Sequence, residues 1–257
     1  MSAPAAIEFR NVNYRLPDGR ALLEDVTLEV AAGTTVALLG KSGSGKTTLL
    51  RAVNSMHRIS SGEVLVRGRS VFEQDAIALR RSIGYVIQET GLFPHFSVER
   101  NVGLVLEIEG KPRAAIRERA HTLLEMVGLH AQEFAPRMPH ELSGGQRQRV
   151  GLARALAAGQ DILLMDEPFG ALDPLTRSEM QDVLRSLTTK ALGSGARTTV
   201  LLVTHDLDEA LYLAERIVLI DEGRIAANLP AREFLSSTAP AVRAYVRAVH
   251  RGTEAHS

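Results

Sequence analysis

The amino-acid sequence predicts an α/β protein built on a parallel sheet, and three short apolar runs carry that prediction. The runs cover residues 35–39, 161–165 and 199–204. Continuous apolar runs of this length are typical of strands buried on both faces of a parallel sheet. In such sheets ligands bind beyond the carboxyl ends of the strands, so the residues after each run are the first candidates for a site. A chain of 257 residues can bury a large core in one α/β domain.

The first run leads into a glycine-rich segment with the spacing G-x-x-x-x-G-K-[ST] of a phosphate-binding loop. Apolar residues at helical spacing follow it, so the strand, loop and helix that such a loop needs are all predicted, which disfavours a chance Gly/Ser turn. Gly43 and Gly45 let backbone N–H groups face phosphate oxygens, and the helix N-terminus adds partial positive charge. Lys46 is expected to reach the β- and γ-phosphates, and Thr47 to bind Mg²⁺. The predicted nucleotide-binding residues are Gly40, Lys41, Ser42, Gly43, Ser44, Gly45, Lys46, Thr47 and Thr48.

Two adjacent carboxylates, Asp166 and Glu167, follow the second run. Asp166 is expected to hold Mg²⁺ through its water shell, because Mg²⁺ loses water reluctantly. Glu167 is expected to accept a proton from an attacking water molecule. His205 ends the third run, and we expect it at the same sheet edge, in contact with the γ-phosphate. The alternatives are solvated acids at a strand end and a polar loop histidine; the phosphate loop in the same chain favours the catalytic interpretation.

A second glycine-containing segment, Leu-Ser-Gly-Gly-Gln at residues 142–146, opens a predicted helix. A serine and two glycines at a helix start could form the opposite wall of a nucleotide site. For Ser143 the alternative is a simple helix cap, and the residue could serve both purposes. Together with the phosphate loop and the carboxylates, this segment predicts an ATPase that works as a pair of subunits.

The middle of the chain is predicted to be helical over residues 90–158, between the strands of the core. Three helices are expected there, with Ser97, Pro112 and Ser143 at their starts. Residues 216–225 predict a closing hairpin. Residues 231–251 predict a terminal helix that packs on the body of the protein.

The composition restricts the partners that the protein can have. Thirty basic side chains balance thirty acidic ones, so no net field recruits nucleic acid. The absence of cysteine excludes disulfides and thiolate metal sites and suits a reducing compartment. The N-terminus lacks the pattern of a signal peptide, and no apolar run reaches about 18 residues, so we expect any membrane role to come through a partner.

The order of these segments resembles the ATP-binding subunit of ABC transporters over nearly the whole chain. The resemblance is carried by the phosphate loop at 40–47, Gln88, the Leu-Ser-Gly-Gly-Gln signature, Asp166-Glu167, Ala171-Leu-Asp173 and His205. It implies the fold of a P-loop NTPase, with a RecA-like core, an antiparallel β subdomain and an inserted helical subdomain. It also implies ATP and Mg²⁺ as ligands, and a head-to-tail dimer of two copies with two ATP molecules at the interface.

The resemblance also implies how the chain is divided. Residues 1–257 would form a single ABC ATPase domain. The core with its β subdomain would cover about 1–89 and 159–230, the helical subdomain about 90–158, and a C-terminal helix and tail about 231–257.

Residue roles follow from matching positions in the family. Tyr14 is expected to stack on adenine, although a strand tyrosine is otherwise a core residue. Gln88 is expected to contact Mg²⁺ and the attacking water, and Asp173 to link the two sites across the dimer. The signature residues expected at the partner's ATP are Ser143, Gly144, Gly145 and Gln146, and the expected Mg²⁺ ligands are Thr47, Gln88 and Asp166. We expect the arginines after the signature, Arg147, Arg149 and Arg154, to carry solvated or interface charge.

One further segment, from Ile83 to Asn101, resembles the importers of glycine betaine, choline and related quaternary amines. Its Phe93-Pro94-His95 part resembles the surface that touches the membrane subunit. The resemblance implies a peripheral subunit on the cytoplasmic face of the cell membrane. Its partners would be integral permease subunits and, indirectly, a substrate-binding protein. The alternatives are an importer of an amino acid or a sulfonate, an exporter, a soluble ABC protein of DNA repair or translation, and a module that only binds nucleotide.

Overall fold

The computed structural model describes residues 4–87, 91–170, 172–189 and 197–254. Contacts divide the chain into two compact units. The first unit combines Met1–Leu79 with Thr199–Ser257, and the second is Arg80–Thr198. Each unit contains part of the predicted site.

The chain contains both strands and helices, as predicted for an α/β protein. In the described part, the strands are β1 (Ala5–Arg15), β2 (Ala21–Ala31), β3 (Thr35–Leu39), β4 (Ser61–Val66), β5 (Arg69–Ser70), β6 (Gly84–Val86), β7 (Ile162–Asp166), β8 (Thr199–Val203), β9 (Arg216–Asp221) and β10 (Arg224–Pro230). The helices are α1 (Lys46–Val53), α2 (Ala76–Arg81), α3 (Val98–Ile108), α4 (Arg113–Met126), α5 (Ala131–Phe134), α6 (Gly144–Ala155), α7 (Pro174–Thr189), α8 (Leu207–Leu213), α9 (Ala231–Phe234) and α10 (Pro240–Glu254), with a 3₁₀ turn at Pro139–Glu141.

The first unit contains two sheets. One is antiparallel with the strand order β2-β1-β4-β5, and the other has the order β10-β9-β3-β8. Every residue of β3 and β8 is buried, which confirms the two apolar runs as interior strands. β3 is parallel to β8, with Leu38 opposite Val203. The carboxyl ends of these two strands, and the residues that follow them, therefore lie at the same sheet edge.

The C-terminal part of the first unit packs on the second of these sheets. The predicted hairpin is confirmed as β9 and β10. The predicted terminal helix is divided into α9 and α10, and Pro240 opens α10, where a missing N–H costs no helical hydrogen bond. Phe234 and Val242, from the two helices, join a core cluster that also contains Leu39 of β3, and Tyr245 packs against this cluster.

In the second unit, β6 and β7 are paired in parallel and the helices α3, α4 and α6 pack together. The predicted helix starts are confirmed: Ser97 accepts a hydrogen bond from Arg100 N, and Pro112 is the N-cap of α4. Gly103 of α3 allows close packing, because a Cβ there would lie 2.4 Å from the Ile116 side chain of α4.

The arginines of α6, which we predicted to carry solvated or interface charge, bind groups within the second unit. Arg149 donates to Val127 O at 2.9 Å and to Glu179 at 2.6 Å, and its side chain is only 13% exposed. Arg154 donates to Gly91 O at 2.8 Å, and burial lowers the pKa of its guanidinium. Arg147 donates to Leu142 O at 3.1 Å. These side chains fasten α6 to its neighbours, because long arginine stems can reach backbone carbonyls across a helix interface.

Among the described residues, every helix is too short or too polar to cross a lipid bilayer.

Candidate functional site

The phosphate loop lies between β3 and α1 in the first unit. Gly40, Gly43 and Gly45 all have positive φ angles, of 153°, 78° and 98°. Two of them are also confined by neighbours. A Cβ at Gly40 would lie 2.2 Å from Ile220 O, and one at Gly45 would lie 2.5 Å from the Leu23 side chain. The loop conformation therefore depends on glycine both for backbone freedom and for close packing.

Lys46 lies inside this loop. It is 5% exposed, and its Nζ donates to the carbonyl oxygens of Gly40 and Lys41 at 2.7 Å each. Gly45, the N-cap of α1, provides no side-chain cap for the first N–H groups of the helix. The Ser44 hydroxyl is buried and has no hydrogen-bond partner among the described residues. An anion such as a phosphate group fits this arrangement, because N–H groups at a helix start need an acceptor and the ammonium supplies charge.

His205 follows β8 and so lies at the same sheet edge as the phosphate loop, while its predicted place beside the carboxylates stays a prediction. Its side chain is exposed, and its carbonyl oxygen accepts a hydrogen bond from the Tyr245 hydroxyl of α10 at 3.0 Å. Burial, and then the negative charge of Asp206, raise the pKa of Tyr245 to about 12. The phenol is therefore a neutral donor that fixes the backbone of His205. The sequence assigned Tyr245 only to packing, and no local pattern connects it to His205.

Tyr14, the predicted adenine contact, lies in β1 and is half-buried. Its ring meets the ring of His57 edge-on, with centroids 5.8 Å apart and an interplanar angle of 78°. Burial, and then the charge of Arg51, lower the pKa of His57 and favour its neutral form. The neighbouring ring orients Tyr14 as aromatic pairs commonly do. Sequence reasoning missed His57, since no motif marks it.

The carboxylates lie in the second unit. Asp166 ends β7 and is 5% exposed, and the Tyr85 hydroxyl of β6 lies 3.5 Å from its Oδ2. Glu167 follows in the left-handed region, with φ of 46°, and its carbonyl accepts from Gly170 N at 3.3 Å. A non-glycine residue there costs roughly 1–2 kcal/mol, and such strain is often found at functional sites. The tight turn determines the direction in which the Glu167 carboxylate leaves the strand.

The signature segment begins α6 in the second unit. Ser143 Oγ accepts from Gln146 N at 3.2 Å, and Gln146 Oε1 accepts from Ser143 N at 2.9 Å, which is a complete capping box. The helix-cap interpretation of Ser143 is therefore confirmed. Its hydroxyl can accept this bond and still donate its own proton to another group. Ser143 and Gly144 are exposed, whereas Gly145 is buried.

Asp173 lies just before α7 and is exposed. Its Oδ1 accepts a hydrogen bond from Thr176 N at 3.1 Å. Hydrogen bonds from the side chain and then the backbone of Thr176 lower the pKa of Asp173, so the carboxylate is ionised near neutral pH. Gln88 and Ala171 lie outside the described residues. The segment after Gln88 is anchored by Asn101, whose side chain binds the backbone of Phe93 and the carbonyl of Phe96.

The side chains predicted to bind Mg²⁺ carry oxygen donors. No group of three or more potential metal-ligating His, Cys, Asp or Glu side chains is present among the described residues. The predicted hydroxyl and carboxylate ligands, Thr47 and Asp166, are the hard oxygen donors that Mg²⁺ prefers. Mg²⁺ normally keeps several waters and uses substrate phosphates as ligands, so each of these two residues has a donor suited to a Mg²⁺–nucleotide complex.

These features define the class of protein. A phosphate loop, strand-end carboxylates and a capped signature helix on an α/β framework are the parts of an ATP-binding cassette. The family model described as "ABC transporter" matches residues 23–170, more than half of the chain. The protein belongs to the ABC transporter family, which confirms the P-loop NTPase fold that we predicted.

Three relatives illustrate the similarity within this family. The choline transport ATP-binding protein OpuBA of Bacillus subtilis is 43% identical over 219 residues, which are 85% of this chain and 56% of the relative. The glycine betaine/carnitine/choline transport ATP-binding protein OpuCA of the same species is 44% identical, over 89% of this chain and 61% of the relative. The osmoprotectant import ATP-binding protein OsmV of Salmonella typhimurium is 44% identical, over 84% and 56%. The chain thus spans little more than half the length of these relatives.

Solved structures of cassettes are similar as well. A dimeric cassette in a post-hydrolysis state, bound to ADP and Pi, is 33% identical with a TM-score of 0.77, and the match covers 88% of this chain and 99% of that one. The structure of cbiO1 from Clostridium perfringens, part of an ABC transporter complex, is 27% identical with a TM-score of 0.81, over 98% and 99%.

Proposed function

We propose that this protein is the ATP-binding and ATP-hydrolysing subunit of an ABC importer for a quaternary amine such as glycine betaine or choline. The observation that carries the ATPase part is the phosphate loop, in which a buried Lys46 and the uncapped start of α1 together suit a phosphate group. The names of the three relatives support the solute class.

The chemistry divides among a few residues. The loop N–H groups and Lys46 would bind the β- and γ-phosphates and orient the γ-phosphate for attack. Mg²⁺, bound by Thr47, Asp166 and Gln88, would supply neutralising charge to the phosphates. Glu167 would accept a proton from the water that attacks the γ-phosphorus, and ADP would leave with the bonding electron pair.

His205 would donate a hydrogen bond to the γ-phosphate. It follows β8 at the sheet edge where the phosphate loop follows β3, and Tyr245 holds its backbone, so the first unit supplies both contacts from one edge. Tyr14 would stack on adenine, with the ring of His57 against it.

A second copy of the chain would complete each site. Ser143 and Gly144 are exposed at the start of α6, and the Ser143 proton remains available after the hydroxyl has capped the helix. We infer that Ser143, Gly144, Gly145 and Gln146 face the γ-phosphate of the partner's ATP. Asp173 would link the two sites of the dimer. ATP binding would close this dimer and hydrolysis would reopen it.

The membrane partner would dock on the surface formed by Phe93, Pro94 and His95. Phe93 is 47% exposed there, beside Pro94 and His95, which are also exposed. Asn101 holds this apolar surface through the backbone of Phe93 and Phe96, so it is presented in one conformation. The protein would thus be peripheral on the cytoplasmic face of the membrane, bound to permease subunits and served by a substrate-binding protein.

Another importer solute is the second candidate. A sulfate/thiosulfate import ATP-binding protein, CysA of Nocardia farcinica, is 43% identical over 225 residues, a level close to that of the quaternary-amine relatives. We infer that these identities reflect the ATP binding that all of the relatives' names share, so they do not by themselves separate the two solute classes.

Two measurements test these proposals in turn. The purified chain should hydrolyse Mg-ATP, and Glu167→Gln should bind ATP without turnover; activity that survives this substitution would refute the catalytic assignment. The complete complex, reconstituted with its own permease and binding protein, should then be screened for solute-stimulated ATPase and uptake. Stimulation by betaine or choline supports the solute class. Stimulation by sulfate or an amino acid alone would overturn it, and efflux without uptake would overturn import.

A further inference from the structure

Gly145 of the signature lies against Thr176 of α7, inside the second unit. A Cβ at position 145 would lie 2.2 Å from Thr176 Cγ2, 3.5 Å from its Cβ and 3.7 Å from its Oγ1. Only the methyl group is therefore too close. Gly144, the preceding signature residue, has nothing within 4 Å of the same position. The need for glycine at position 145 arises within this subunit, before any nucleotide or second copy is considered.

Thr176 also faces Asp173. Its amide donates to Asp173 Oδ1 at 3.1 Å, and its side-chain hydrogen bond is the largest cause of the lowered pKa of that carboxyl group. Threonine is branched at Cβ, so its methyl and hydroxyl groups point in different fixed directions. Rotation about χ1 would remove the hydroxyl from Asp173 and the methyl from Gly145 together. One side chain thus touches both of the segments that were predicted to reach the other half of a dimer.

We propose that Thr176 is a positioning residue that couples Gly145 of the signature helix to the Asp173 carboxylate, so that the two move as one body when the dimer closes. This inference rests on the proposed function, because it assigns a common cause to two segments expected at the shared ATP sites. The ion pair between Arg149 of α6 and Glu179 of α7, at 2.6 Å, is a second tie between the same helices, and it contacts neither Gly145 nor Asp173.

The steric half of the proposal is tested by suppression. Gly145→Ala should lower ATP turnover by about tenfold or more, because the new Cβ displaces Thr176 in a packed interface. Adding Thr176→Ser removes only the methyl group, and the double variant should recover most of the lost turnover. If Gly145→Ala has no effect, or if turnover stays equally low in the double variant, the intrasubunit contact is not what requires glycine and the proposal is overturned.

Thermal unfolding is measured on the same variants. Alanine is a better helix former than glycine, so a lower Tm of Gly145→Ala would come from the clash alone. Should Gly145→Ala fail to fold, recovery of a folded protein in the Gly145→Ala/Thr176→Ser variant supports the proposal. A double variant that is equally unstable contradicts it.

The hydrogen-bonding half is tested with Thr176→Val, which keeps the shape but removes the hydroxyl. This variant should lower kcat several-fold, with little change in the KM for ATP and in Tm, and the effect should disappear when Asp173 is already alanine. Equal effects with and without the Asp173 carboxylate would overturn the coupling. The control is Glu179→Gln, which weakens the other tie between α6 and α7. A similar loss of kcat in this control would indicate general helix packing and would also overturn it.

The two levels of proposal fail in different ways. Without Mg-ATP hydrolysis by the wild-type chain, or with full activity in Glu167→Gln, the proposed function itself is wrong. A different result would be a wild-type chain that hydrolyses Mg-ATP and depends on Glu167, while Thr176→Ser fails to suppress Gly145→Ala and the effect of Thr176→Val does not depend on Asp173. In that case the proposed function stands and only the role of Thr176 is wrong.

Discussion

The phosphate loop and the signature segment both place glycines at the start of a helix, yet they use them differently. In the loop, Gly43 and Gly45 have positive φ, and α1 begins without a side-chain cap. In the signature, Ser143 and Gln146 form a capping box, and neither Gly144 nor Gly145 has a positive φ angle. At the start of α1 no side chain caps the helix, whereas at the start of α6 the Ser143 hydroxyl accepts a hydrogen bond from Gln146 N.

This difference indicates a division of labour. The loop contains its cation, Lys46, and a helix start without a side-chain cap within one chain, so we expect it to bind the phosphates without help. The signature offers an exposed Ser143 at the start of α6, so we expect it to contribute only when another molecule is placed against it. Binding should then depend on the first unit, and completion of the reaction on groups of the second unit.

The largest expected effect comes from Glu167→Gln. Since a positioned base contributes roughly 10²–10⁴-fold, turnover should fall by about that factor while ATP affinity is kept. The variant should accumulate as an ATP-bound dimer, measured by gel filtration with light scattering. A parallel loss of ATP binding would contradict the separation of binding from chemistry.

Lys46→Ala should act on binding itself. Losing charge-assisted hydrogen bonds of about 1.5–3 kcal/mol should weaken ATP about 10- to 100-fold, measured by equilibrium titration. Lys111→Ala is the control for the loss of one lysine charge, because Lys111 is exposed and has no predicted role in the site. Equal losses in both variants would indicate that the loop acts through overall charge and not through the buried ammonium.

A mixed dimer separates the two regions directly. Lys46→Ala damages the loop and Ser143→Arg damages the signature, so one subunit of each kind should leave one intact composite site. Both homodimers should lack any intact site. Trapped nucleotide is measured for all three combinations with the hydrolysis-blocking Glu167→Gln background. A mixture that traps no more than either homodimer would refute the shared site.

Two alanine substitutions should change stability in opposite directions. Gly43→Ala forces a side chain into left-handed backbone and should cost about 1 kcal/mol or more of unfolding free energy. Gly144→Ala meets no atom within 4 Å inside a helix and should be neutral or gain up to about 1 kcal/mol. Chemical denaturation measures both. Destabilisation by the two variants alike would mean that the glycines serve the same purpose.

The smallest expected effect is that of Tyr245→Phe. Loss of one hydrogen bond to the His205 backbone should lower kcat a few-fold, and the effect should vanish in a His205→Ala background. The pKa of Tyr245 is raised from 10.0 to about 12, so its stabilising contribution is complete below pH 10 and is lost as pH rises through 12. The ratio of the kcat of wild type to that of Tyr245→Phe should thus be constant between pH 6 and 9. An effect that persists without His205 would assign Tyr245 to packing alone.

Much of the candidate site could be predicted because its determinants are local. The spacing of the phosphate loop, the apolar runs that became β3, β7 and β8, and the serines that cap α3 and α6 each act within a few residues. Backbone sterics and capping bonds depend on neighbours in sequence, so a pattern of residue types is enough to indicate them. The role of Gln88, which lies outside the described residues, stays a prediction from resemblance.

Other features depended on contacts between distant parts of the chain. Tyr245 and His205 are 40 residues apart, and Arg149 and Glu179 are 30 apart. For the arginines of α6 the sequence predicted solvated or interface charge without a partner, because nothing in a local pattern shows which segments will contact them. Gly145 is a further example. Its motif predicts a contact with a nucleotide, but only the packing of α6 on α7 shows that Thr176 occupies the space that a side chain at position 145 would need. Interactions between neighbours in the sequence thus determined the helices, the strands and the motifs. Which distant residues contact them was decided by the tertiary structure, because protein interiors are closely packed and leave few voids.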